Sequence, residues 1–172
     1  MRIFLCIAFF LFVISPALAQ RIDSENSSII FKVKKLGKNV EGTFSGMKGE
    51  IHINENDLSS SQVQVSLDPS TINTGNERRN EHLKSEDFFG VEAFPEINFV
   101  SHEIQQSKDE LLLTGELTLH GVSIEVTIPA VVVDNGIKGN LVVDRFDYGV
   151  GDDIATTLVG SEVEIFFECV WK

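Results

Sequence analysis

Four stretches of this chain alternate apolar and polar residues with a period of two, and that repetition limits the fold more than any other feature. In 62–67, Val63, Val65 and Leu67 alternate with Gln62, Gln64 and Ser66. In 111–119, Leu111, Leu113, Leu117 and Leu119 share a face opposite Thr114, Glu116 and Thr118. Val122, Ile124, Val126 and Ile128 alternate with Ser123, Glu125 and Thr127, and Val163, Ile165, Phe167, Cys169 and Trp171 oppose Glu162, Glu164 and Glu168. Successive side chains of a strand point to opposite faces, so this pattern specifies antiparallel sheet with one buried face.

The punctuation agrees. Asp134-Asn135-Gly136 separates two apolar runs, and Asn-Gly favours a tight hairpin because both positions tolerate positive φ. His120-Gly121 is a second hairpin, with Gly121 in the left-handed position. Gly42, Gly46 and Gly49 predict one long, sharply bent strand over 39–53. Strands near 29–35, 39–53, 62–68, 96–105, 110–119, 122–133, 137–146 and 161–171 make eight. The expectation is an all-β, eight-stranded antiparallel barrel, with a two-sheet sandwich as the alternative.

Residues 1–19 read as a secretory signal peptide: Met1-Arg2, the apolar run "IFLCIAFFLFVI", then Ala17-Leu18-Ala19, with cleavage expected before Gln20. Taking nineteen residues from 172 leaves 153, enough for one domain with a substantial core. Losing Arg2 leaves 13 basic residues against 26 acidic ones, a formal charge of −13. That surface repels phosphate backbones and argues against nucleic acid as a partner and against simple adsorption to anionic headgroups. Only Cys169 survives cleavage, so no internal disulfide forms, and an exported periplasmic or secreted bacterial protein is expected.

One segment, "NTGNERRNEHLKSEDFFG" over 73–90, breaks the sheet pattern. Thr74-Gly75-Asn76-Glu77 fits a capping box, and a helix from there to about Lys84 puts Arg78 and His82 four residues apart on one face. Ser85 would cap a further turn that delivers Phe88 and Phe89 inward, as a plug or lid across one end of the barrel. Phe31, Phe44, Phe88, Phe89, Phe99, Phe166 and Phe167 are most of the nine phenylalanines that follow residue 19. Phenylalanine has no polar handle, so these residues suit either a solid core or a lumen lined for hydrocarbon. Residue patterning alone leaves the choice open.

"STINTGNERRNEHLKSEDFFGVEAFPEINFVS" at 70–101, "LTGELTLHGVSIEVTIPA" at 113–130, and "DRFDYGVG" with "VGSEVEIFFE" near the end together resemble the YceI-like family, in order and spacing. The resemblance implies a lipocalin-like barrel with an apolar tunnel for a polyisoprenoid, an isoprenoid quinone or another long amphiphile. It also implies an exported, non-enzymatic carrier without stable membrane insertion. Two positions depart from the family pattern. Arg79-Asn80 stands where Arg-Asp is usual, so a local Arg–Asp pair cannot form, and Ser123-Ile124-Glu125 stands where Thr-Lys-Pro is common.

With a tunnel implied, Phe31, Phe44, Phe88, Phe89, Phe99, Leu113, Leu117 and Phe167 are the candidate lumen and lid residues. Arg78, Arg79 and His82 are candidates for a polar headgroup, because guanidinium forks match phosphate and carboxylate. The competing arrangement is a solvated helix face with the arginines paired to Glu77 or Glu81. His52, His82, His102 and His120 lack metal-ligand spacing, and Asp144, Asp147, Asp152 and Asp153 read as a solvated acidic loop, so no metal or cofactor is expected. Two other functions stay in view. One is a stress-related interaction module whose solid core is permanently plugged by Phe88 and Phe89. The other is a lipid-acting hydrolase or isomerase dependent on His82 or His120. The sequence leaves a homodimer open.

Overall fold

The computed structural model describes residues 19–172; residues 1–18 of the expected leader, Cys6 among them, lie outside these. The strands are β1 (Gln20–Arg21), β2 (Ser28–Lys35), β3 (Lys38–Phe44), β4 (Lys48–His52), β5 (Gln62–Leu67), β6 (Ile97–Ser107), β7 (Glu110–Leu119), β8 (Val122–Val133), β9 (Gly136–Asp144) and β10 (Val159–Val170). One helix, α1 (Glu77–Lys84), lies between β5 and β6. All strands join one antiparallel sheet in the order β1-β4-β5-β6-β7-β8-β9-β10-β2-β3.

The expected eight-stranded barrel is therefore corrected to a ten-stranded, strongly curled antiparallel sheet. One extra strand is β1, two residues too short to leave a periodic signal. The other comes from the stretch 39–53, which splits into β3 and β4 because Gly46 turns the chain at φ 76°. The edge strands β1 and β3 form no ladder with each other. Isolated bridges draw the margins inward instead, Ile22 to Trp171 near one margin and Thr43 to Asn73 near the other.

Hairpin geometry follows local chemistry. His120 (φ 51°) and Gly121 (φ 76°) form a two-residue loop with both residues left-handed, which matches the strand twist. At Asp134-Asn135 the loop also has two residues, but neither has positive φ, and Gly136 already belongs to β9. The glycine there serves a different purpose: a side chain would meet the Cys169 carbonyl across the ladder.

The strand ends sort the connections. The β2–β3 and β7–β8 hairpins, the 68–96 insert and the β9–β10 loop gather at one end of the curled sheet. Within the curl, Ile51, Leu113 and Ile137 are fully buried. The inward-facing Phe31, Val33, Val163, Ile165 and Phe167 of β2 and β10 are only half-buried, so the interior is not uniformly filled. No helix among the described residues is long and apolar enough to cross a membrane.

Candidate functional site

The insert is built differently from the capping-box expectation. Asn76, not Thr74, caps α1, its Oδ1 accepting from the Arg79 N–H at 3.0 Å. Thr74 instead donates its backbone N–H and its hydroxyl to Oδ1 of the buried Asn80, at 2.9 and 2.7 Å. Arg79 turns back onto the same threonine, donating from Nε to its Oγ1 at 2.8 Å and from Nη2 to its carbonyl at 2.7 Å. Asparagine at position 80 thus offers no acidic partner, and the guanidinium turns Nε and Nη2 to the loop. Ser85 closes α1, its hydroxyl donating to the His82 carbonyl at 2.7 Å, rather than starting another helix.

The chain then turns Phe88 and Phe89 under the cover. Phe89 meets Phe44 edge-on at 5.6 Å between centroids, and Phe44 meets Phe31 at 5.5 Å. Phe88 lies edge-on to the exposed His82 ring at 4.9 Å. Beneath the cover is a cavity of about 210 Å³ with an almost wholly apolar lining. Phe31, Phe44, Phe88, Phe89, Phe99, Leu113, Leu117 and Phe167 all line it. Phe166 does not; it faces outward beneath the Lys32 ammonium, 5.1 Å from the ring centre. Arg78, Arg79 and His82 are absent from the lining, with Arg78 and His82 on the solvent face of α1. Neither arginine pairs with Glu81, which holds Lys84 at 2.8 Å.

Asn98, Arg145 and Tyr148, polar residues at the cavity wall, escaped the sequence reading, and the last two are the more deeply buried. Arg145, 6 % exposed, lies in the turn after β9. It donates from Nε to the Gly160 carbonyl, from Nη1 to the carbonyls of Val150 and Gly151, and from Nη2 to those of Ile154 and Val159. Phe146 stacks on the guanidinium at 4.0 Å. Burial lowers the arginine's pKa, partly offset by Asp144 and Asp152. Arg145 therefore ties the β9–β10 loop together through five bonds to carbonyl oxygens. That loop holds the cover in turn: the Gly151 N–H donates to the Asp87 carbonyl at 2.8 Å, and a Cβ on Gly151 would come within 2.9 Å of the Phe88 ring.

Tyr148 is 2 % exposed, with its hydroxyl buried and unpartnered. Burial pushes its pKa up. The only sequence signal for either residue was the Asp-Arg-Phe-Asp-Tyr run, which an acidic surface loop would share.

Reactive groups are quiet. Cys169 is buried beside Met47, sulfur to sulfur 3.2 Å, and burial pushes its thiol up to about 12. His120 shapes its turn and places Nδ1 3.2 Å from the Tyr148 carbonyl, its ring against Phe94. His102 meets Glu125 at 3.0 Å on the surface. Among the described residues no three His, Cys, Asp or Glu side chains gather as a metal site.

A curled antiparallel sheet around an apolar cavity, roofed by the Phe-Phe insert, has a close counterpart among sequence families. The model of the YceI-like domain matches residues 20–171. The chain belongs to the YceI-like family.

Protein YceI of Salmonella arizonae is 33 % identical over 119 residues, which cover 67 % of this chain and 62 % of that protein's length. The same match recurs with Protein YceI of Salmonella enteritidis PT4. Among solved structures, BcnA of Burkholderia cenocepacia superposes with a TM-score of 0.82 at 25 % identity, covering 87 % of this chain and 98 % of BcnA. A polyisoprenoid binding domain from Saccharophagus degradans superposes with a TM-score of 0.67 at 18 % identity, over 90 % of this chain and 98 % of that one. At that identity the second likeness speaks to the fold.

Proposed function

We propose that this YceI-like protein is an exported carrier that holds the tail of a long amphiphile, such as a polyisoprenoid or isoprenoid quinone, in the cavity beneath the insert. The observation that carries the reading is the cavity itself. It measures about 210 Å³, is lined almost wholly by apolar side chains, and takes Leu83, Phe88 and Phe89 of the insert into that lining. It exceeds the ~150 Å³ engineered cavity of Leu, Ile and Phe that takes up benzene in another protein. Each methylene buried contributes about 0.8 kcal/mol, so a tail binds tightly without many polar contacts and with loose selectivity.

The space favours a lumen over a permanently plugged core, and a full-length tail requires the cover to move outward. Catalysis has no comparable support: His82 faces solvent, His120 is committed to its hairpin and Cys169 is held as a neutral thiol. The superposition on a polyisoprenoid binding domain is consistent with the tail class. Export follows from the leader sequence, with Gln20 as the expected first residue of the mature protein.

Titration with a fluorescent prenyl or fatty probe tests the reading. Phe89→Ala in the cover and Ile165→Gln on β10 are expected to weaken probe binding roughly tenfold or more while leaving the far-ultraviolet circular dichroism unchanged. Full affinity in both variants would refute a site in the lumen.

A further inference from the structure

The β2–β3 hairpin concentrates positive charge on an acidic protein. Lys32, Lys34, Lys35 and Lys38 fall within seven residues of a chain with 14 basic and 26 acidic side chains. Lys32 sits in register with Glu41 and Glu164 and is compensated. Among the described residues Lys34, Lys35 and Lys38 have no ion-pair partner, and their register neighbours are Asn39, Val159 and one another.

At the tip, between these lysines, stands Leu36. It is 67 % exposed and holds φ at 50°, a left-handed position that asparagine or glycine fills at less cost. Beside it Leu158, 50 % exposed, accepts the Leu36 N–H at 2.9 Å. The turn thus carries an exposed, conformationally unfavourable leucine next to a second exposed leucine. Of the other large exposed apolar residues, Val100, Val122, Val132 and Val142 occupy other strands, and Phe166 lies farther along β10, in register with Ile30. Position adds the third observation. Val33 and Val159, adjoining this tip on β2 and β10, line the cavity.

We propose that the Leu36–Leu158 tip with Lys34, Lys35 and Lys38 is a docking point for an anionic lipid bilayer. The leucines enter the headgroup region, the lysines meet lipid phosphates, and the adjoining end of the cavity faces the membrane. Apolar tips ringed by lysine are the chemistry of peripheral membrane contact. The net charge of −12 opposes adsorption of the protein as a whole and leaves this basic tip as the place of contact. The inference rests on the carrier reading for its purpose, but docking is measurable without cargo.

The test is flotation of the processed protein with vesicles of phosphatidylcholine containing 30 % phosphatidylglycerol (a chosen composition of about one anionic lipid in three), free of isoprenoid. The protein is expected to float with these vesicles and not with pure phosphatidylcholine. Replacing Lys34, Lys35 and Lys38 by glutamine should cut partitioning about a hundredfold. Leu36→Asn should cut it roughly tenfold while leaving thermal stability equal or higher, since asparagine suits the turn. Failure to float, or flotation unchanged in both variants, overturns the proposal. So does loss confined to the lysine variant, which would show contact by charge alone, without entry of the leucines. The fluorescent-probe titration separates the two readings: flotation without probe binding sinks the carrier, and probe binding without flotation sinks the docking tip.

Discussion

Replacing Arg145 by lysine offers a sharp test of how the cover is held. The guanidinium makes five hydrogen bonds to carbonyls spread over residues 150–160. An ammonium has three donors radiating from one point and cannot reproduce the planar fork. At least two carbonyls lose their donor, and each buried unsatisfied group costs about 1–3 kcal/mol. The ring of Phe146 also loses its stacked partner. A loss of about 3 kcal/mol follows, measurable as a lower urea midpoint at unchanged slope. Because Gly151 bonds the Asp87 carbonyl and packs on Phe88, the loosening should spread to the insert. Amide exchange at 150–155 and 86–90 should accelerate ahead of the strands. A stability change below about 1 kcal/mol, or acceleration confined to one segment, would refute the claim that Arg145 clamps the loop and through it the cover.

Tyr148→Phe removes a buried hydroxyl that has no partner. Unfolding free energy should stay level or rise by about 1 kcal/mol, and a comparable fall in urea titrations would reveal a partner for that hydroxyl. Cys169 should resist maleimide at pH about 8 in the native protein and label fully in urea. Its thiol is raised from an ordinary 9.0 to about 12 in the fold. Between those values the native state binds more protons than the unfolded one, so stability falls as pH rises. The slope contributed is at most ~1.4 kcal/mol per pH unit, and Cys169→Ala should remove it.

Strand content was legible wherever one face is buried along a whole strand, as in β7 and β8, whose bounds match the reading at both ends. It failed where geometry is set by partners far along the chain. Residues 20–21 form a strand only because β4 lies beside them, and the β3–β4 break depends on where the sheet curls. Phe88 and Phe89 were readable as inward-facing because a polar helix ending in two aromatics leaves them no other shelter. The turn of Arg79 back onto Thr74, through Nε and Nη2, was not legible, since residue type does not announce such a local competition. Arg145 was missed because a guanidinium satisfied entirely by backbone carbonyls has no acidic partner to betray it in sequence.

Native mass spectrometry of residues 20–172, followed by organic extraction, tests the carrier account most directly. The account predicts a stoichiometric adduct that leaves as a long-chain, largely hydrocarbon species. A protein that emerges empty, and stays empty after incubation with prenyl lipids, isoprenoid quinones and fatty amphiphiles, would contradict it.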